Sequence, residues 1–228
     1  AVTNTLIYVF GLIPFSVLLP LAIAILVSDL RGQPRSIYRA IIFTPVLMAP
    51  VVVAIIWRWL LHPTQGLTNE VFGLVGIGPF NFLRDADLAI WTIIFITGWK
   101  HLGFSVLLFS AGLTNISRDY IEAATMDGAS RWQIIRHITL PLLSPTITFT
   151  LLLTVLLTAQ WTFPLINVLT QGGPLGNTTN VYYMLWEYGF RNFNIGFSSA
   201  AAVVFFIAFG VLAVLFLRLM DRFSFYDE

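Results

Sequence analysis

Five stretches of this chain hold almost nothing but apolar side chains, and each is about as long as a bilayer core is thick. They run roughly over Leu6–Val27, Ile41–Leu61, Leu88–Leu108, Leu142–Phe163 and Ile195–Leu217. A hydrocarbon layer about 30 Å thick is crossed by about 20 consecutive apolar residues in a helix. The composition agrees, with 57% hydrophobic and 10% charged residues, whereas soluble domains carry about 25% charged residues. The expected fold class is an all-α membrane protein, a polytopic helical bundle with five spans in this chain. Pro14, Pro20, Pro45 and Pro50 fall inside the blocks. Neighbours in lipid re-satisfy the carbonyls that proline frees, so kinks rather than breaks are expected.

The basic residues set an expected orientation. Arg31, Arg35 and Arg39 follow the first block, Arg118, Arg131 and Arg136 follow the third, and Arg218 and Arg222 lie in the tail. The other side holds Arg58, Arg84 and Arg191, with Lys100 inside a block. Positive loops favour the cytoplasm, which puts the C-terminus inside and Ala1 outside. An external start without a signal peptide is an odd arrangement, so a sixth, N-terminal helix ahead of Ala1 is expected. The net charge of +1 does not point to a partner, and the absence of cysteine excludes disulfides, thiolate metal sites and cysteine nucleophiles.

The connection between the third and fourth blocks, residues 115–141, differs in character. Ser117 or Asp119 can cap a first short helix, and Asp119 with Glu122 resembles a capping box. Gly128 suits the left-handed residue that ends a helix, and Ser130 with Gln133 forms a second capping box. Leu140-Pro141 is expected to stop that second helix and begin the next span. Tyr120, Ile121, Ala124, Trp132 and Ile135 are too many apolar side chains for a solvated connector. Two readings follow: a helix pair that sits in a partner's groove, or an amphipathic pair lying on headgroups.

Glu122-Ala123-Ala124, three residues, Gly128, nine residues, then Ile138-Thr139-Leu140-Pro141 resembles the EAA signature of binding-protein-dependent ABC importer permeases. Asp127 before the glycine also matches that family. Residues 47–69 (LMAPVVVAIIWRWLLHPTQGLTN), 3–10 (TNTLIYVF) and 166–200 are similar to its carbohydrate-type members, including those for maltose-like sugars and glycerol-3-phosphate. The resemblance covers nearly the whole chain. It implies a type I ABC importer permease that pairs with a second, homologous permease in a prokaryotic inner membrane. It further implies two copies of a cytoplasmic ATPase on the EAA loops and an extracellular or periplasmic binding protein delivering solute. ATP and Mg would bind the ATPase, since this chain has no phosphate-binding loop of the G-x-x-x-x-G-K-[ST] type. No cofactor, metal or nucleic-acid partner is expected for the chain itself. Glu122, Ala123, Ala124, Asp127, Gly128, Ile138, Leu140 and Pro141 would couple to the ATPase.

Substrate contacts have thinner support. Lys100 and His101 lie mid-span, where an ionisable group costs about 2.5–3.5 kcal/mol or more and defaults to a functional reading. The alternative for Lys100 is a structural pair with a helix carbonyl or a partner side chain. Gln160, Trp161 and Asn167 form a polar and aromatic cluster at the outer end of the fourth block, suited either to a stacked sugar or to an interfacial tryptophan with interhelical amides. Trp57, Trp59, Trp91 and Trp186 read as belt residues, and Trp99 as bundle packing. Gln171-Gly172-Gly173-Pro174 reads as a flexible turn, which the resemblance would set against the binding protein; the alternative is a tight turn with no partner.

Rival classes find less in the residues. An ion-driven secondary transporter calls for internal repeats and intramembrane Asp or Glu, and neither is evident. A membrane enzyme needs a metal or nucleophile constellation, but His62, His101 and His137 are scattered. A permease for amino acids, peptides or oxyanions would share the EAA loop.

Overall fold

The computed structural model describes the backbone of residues 1–28 and 33–223, and the side chains of all of these except 33–37, 39 and 219–223. Among them the chain is helical, without strands. Helix α1 (Val2–Ser28) crosses first. It is followed by α2 (Gln33–Leu47), α3 (Pro50–Leu60) and the short α4 (Leu67–Leu74). The long α5 (Leu88–Thr114) leads to α6 (Arg118–Met126) and α7 (Arg131–Ile134). The chain then forms α8 (Ser144–Thr170), α9 (Val181–Trp186) and α10 (Ile195–Phe223). Helices α1, α5, α8 and α10 are long and apolar enough to cross a membrane, and the bent pair α2–α3 supplies a fifth segment. The orienting Arg31 lies outside the described residues, as do the side chains of Arg35, Arg39 and Arg222.

That fifth segment corrects one expectation. The second apolar block is broken by 103° between α2 and α3 rather than kinked. Pro50 has no N–H to continue the ladder, and its ring pushes Ala49 into the extended region, at φ −60° and ψ 136°. Elsewhere proline is absorbed. Pro45 stays inside α2. Pro14 begins a π turn over Pro14–Leu18, and Pro164 precedes another over Ile166–Thr170.

Helix α5 is the central post. Its Ile93, Ile94 and Ile96 pack with Tyr8 and Leu12 of α1, Val53 and Ala54 of α3, and Leu165 and Ile166 of α8. Gly103 faces the Ile42 carbonyl of α2 so closely that a β-carbon would strike backbone, which lets α2 lie directly on α5. Two tryptophans expected in a belt belong instead to this packing. Trp57 stands edge-on to Phe95 and Trp99 at 5.8 and 5.7 Å, and Trp186 packs on Phe163 and Tyr183. Both rings are half-buried, and an aromatic edge-to-face contact adds to the area buried. Trp59 and Trp91 remain exposed, as a belt would have them.

Helices in lipid gain little from apolar contact, because lipid tails are equally apolar, so polar side chains contribute to holding them together. Thr150, Thr154, Thr158 and Thr162 recur every fourth residue of α8 and are all buried. Each hydroxyl donates to the carbonyl four residues back, and the single proton of Thr154 is shared between the Thr150 carbonyl and Ser16 Oγ of α1, 2.9 Å away. At the end of this stripe Asn180 donates to the Ala159 carbonyl and to Thr162 Oγ1, both at 2.8 Å. Its Oδ1 accepts the Tyr183 N–H and caps α9.

Candidate functional site

The connection between α5 and α8 folds as a rigid helical hairpin. Ser117 Oγ accepts the Asp119 N–H at 3.2 Å, so Ser117 and not Asp119 caps α6. At the other end Gly128 takes φ +78°, a left-handed value that favours glycine. Its N–H bonds the Thr125 carbonyl and that of Ala129 bonds the Ala124 carbonyl, the paired pattern of a Schellman ending. Two residues on, the Ser130 N–H donates to Gln133 Oε1 at 2.7 Å and the Gln133 N–H returns to Ser130 Oγ at 3.4 Å. Both capping groups of α7 are thus satisfied locally.

Leu140-Pro141 does not itself stop the second helix. From α7 the chain continues through a π turn, Ile135–Thr139, and another helical turn, Leu140–Leu142, and breaks at Leu143, which ends that turn and precedes α8. Pro141 falls at the start of a turn, where its missing N–H is tolerated. The wide turn just before it alters the carbonyl register that its ring would otherwise meet. Glu122, Ala123, Asp127 and Gly128 are exposed, Ala124 is half-buried, and Ile138, Leu140 and Pro141 lie half-buried at the root. Apolar side chains share the exposed surface: Met126 is 90% and Trp132 67% accessible. Behind the hairpin lies a cavity of about 1050 Å³ between α1, α2 and α5, with Glu122, Ser110 and Tyr38 in its lining.

Lys100 is buried, and its Nζ donates to the Val46 carbonyl at 3.3 Å. In an unbroken helix that carbonyl would receive the N–H of residue 50, which is proline. The lysine therefore satisfies the carbonyl that the α2–α3 break leaves open, at a helix C-terminus where a cation is favoured. The adjacent His101 stacks on Trp161 of α8, with ring centroids 4.4 Å apart and planes 17° apart. Gln160 is exposed, and Asn167, seven residues on along the same face, is half-buried. The structure thus joins Trp161 to His101 and Lys100 to α2.

The turn at Gln171-Gly172-Gly173-Pro174 is tied down, which corrects its reading as flexible. Thr178 Oγ1 donates to the Gly173 carbonyl at 2.7 Å, and Thr179 Oγ1 to the Gly172 carbonyl at 3.2 Å. Asn4 Nδ2 reaches the Gly176 and Thr179 carbonyls, and Tyr8 Oη the Thr178 carbonyl. The threonines and α1 supply bonds that the glycines cannot make for themselves. The tip residue Leu175 is 97% exposed. Sequence reasoning missed this residue, as well as the threonine stripe and Asn180. The four-residue threonine spacing was the available signal for the stripe.

A family model described as "binding-protein-dependent transport system inner membrane component" matches residues 1–224. The sn-glycerol-3-phosphate transport system permease protein UgpA of Pectobacterium atrosepticum is 31% identical over 219 residues, 96% of this chain and 74% of that one. UgpA of Salmonella typhimurium is 30% identical over 211 residues, covering 92% and 71%. Among solved structures, a bacterial ABC transporter involved in import of the acidic polysaccharide alginate superposes with a TM-score of 0.90 at 24% identity, covering 99% of this chain and 79% of that one. A bacterial alginate ABC transporter in complex with an alginate pentasaccharide-bound periplasmic protein gives 0.80 at 25% identity, covering 97% and 76%.

Proposed function

Because the chain belongs to the family of binding-protein-dependent transport system inner membrane components and has the fold of an ABC importer permease, we propose that it translocates a sugar or glycerol-phosphate-type solute through the inner membrane. A second, homologous permease completes the pathway. Two copies of a separate ATPase, which bind ATP and Mg, drive it, and a periplasmic binding protein delivers the solute. The glycerol-3-phosphate relatives and the alginate transporters support this solute class.

The observation that carries the reading is the α6–α7 hairpin. With both of its helices capped at their N-termini and with Glu122, Ala123, Asp127 and Gly128 exposed beside Met126 and Trp132, it is a lever joined to α8 through the short helical segment that ends at Leu143. An ATPase groove that grips it moves α8 as one body, which is how rigid-body closure becomes alternating access. Its end of the bundle then faces the cytoplasm, together with the C-terminus. At the opposite end, Gln171–Pro174 and the tip Leu175 form the face offered to the binding protein. Gln160, Trp161 and Asn167 line the solute's path, with His101 holding the Trp161 ring.

The test is Gly128→Val in the reconstituted transporter. A β-branched residue in the left-handed region costs about 1–2 kcal/mol and misaligns α6 against α7. Membrane insertion should be retained, while ligand-stimulated ATP hydrolysis and uptake come apart. Uptake at the parental rate would count against the docking role.

A further inference from the structure

We propose that α4 and the turn after it form a monotopic anchor that seats in the headgroup–acyl boundary of the bilayer, at the end of the bundle opposite the α6–α7 hairpin. Leu67, Val71, Leu74 and Val75 are spaced so that they fall on one helical face, and their exposures are 52%, 54%, 87% and 68%. Ile77 prolongs the stripe. On the opposite side of the helix Asn69 donates to the Phe80 and Pro63 carbonyls and accepts the Phe80 N–H at 3.0 Å. Asn69 and Phe72 thus face the protein and the apolar stripe faces outward, with Glu70 exposed beside it. Glu70 is the one charged residue between Pro63 and Leu83.

The placement of α4 identifies what meets this face. Thr68 Oγ1 donates to the Leu60 carbonyl at the end of α3. Phe72 packs on Phe80 and Phe82, and the Phe82 carbonyl accepts from Thr92 in the first turns of α5. The element therefore bridges the ends of two membrane-crossing helices and lies at the depth where they leave the hydrocarbon. Trp59 and Trp91, on those same two ends, are 65% and 56% exposed, as in an interfacial aromatic belt. The stripe continues that lipid-facing belt. It is also held rigid, because Gly76 and Ile77 return hydrogen bonds to Gly73 and Phe72. The stripe itself carries no charge, so its seating rests on apolar burial, while Arg58 and Arg84 flank the segment in sequence.

The absence of cysteine in this chain makes labelling unambiguous. Leu74→Cys, Val75→Cys and, independently, Val71→Cys would each carry an environment-sensitive fluorophore. Gln65→Cys, exposed on the polar approach to α4, serves as the control. The complete transporter, with cysteine-free partner subunits, is reconstituted in phosphatidylcholine vesicles. The labels on the stripe should be quenched several-fold more by shallow doxyl-lipid than by aqueous iodide, with the reverse at residue 65. Iodide quenching on the stripe equal to that at residue 65 would overturn the anchor. Shielding from both quenchers, in the transporter alone or after adding binding protein, would assign the face to a protein and overturn it equally.

Discussion

Lys100 illustrates how a charge becomes tolerable at bilayer depth. Its ammonium meets the Val46 carbonyl, which has lost its usual donor to Pro50, so two groups that are each costly in lipid satisfy one another. Lys100→Met should therefore lower the thermal midpoint of the purified complex, by a loss of about 1–3 kcal/mol for the orphaned carbonyl. Solute KM in reconstituted uptake should be unchanged. An unchanged midpoint with a raised KM would return Lys100 to the solute path. Gly103 makes the same contact possible from the other direction, because any side chain there would push α2 off α5.

At the scale of elements, local chemistry and lipid combine differently in the hairpin and in the bundle. The α6–α7 hairpin is closed by its own residues. Ser130→Ala should cost about 1 kcal/mol locally, read as faster amide exchange in α7 with the global melting of the complex preserved. Asn180 instead ties three places together: the Ala159 carbonyl, the Thr162 hydroxyl and the first turn of α9. Asn180→Ala leaves buried groups unpaired, so a loss of about 1–3 kcal/mol is expected. Differential scanning of the detergent-solubilised transporter would show it as a lowered midpoint. A midpoint equal to the parent's would mean that the threonine stripe holds α8 without it.

For the whole molecule, the solvent is the bilayer. Over the span Ile195–Arg218 of α10, none of the most apolar stretch is buried inside this chain, yet its mean hydropathy of 2.9 keeps it in the membrane. Phe206 on this helix is 79% exposed. Phe206→Asp should cost about 2.5–3.5 kcal/mol of insertion free energy, seen as a drop in membrane-integrated yield against a Phe206→Leu control. Equal yields of the two variants would place residue 206 in a wet cavity and not against lipid.

What the amino-acid order determined alone is what adjacent residues decide among themselves. Apolar blocks of spanning length marked the crossings, and Ser130, Gln133 and Gly128 marked the hairpin, because caps and left-handed turns close within a few residues. The tertiary structure decided which apolar faces meet protein. A residue bound for lipid and one bound for the core have the same composition, so Trp57 and Trp59 could not be told apart by pattern. The structure also chose the partners of the polar groups: Lys100 with Val46, 54 positions away, Thr154 with Ser16, 138 away, and Asn4 with the loop 172 and 175 away. In lipid a freed carbonyl or hydroxyl must find whatever the packing brings within reach, and that distance is not written in the local order of residues.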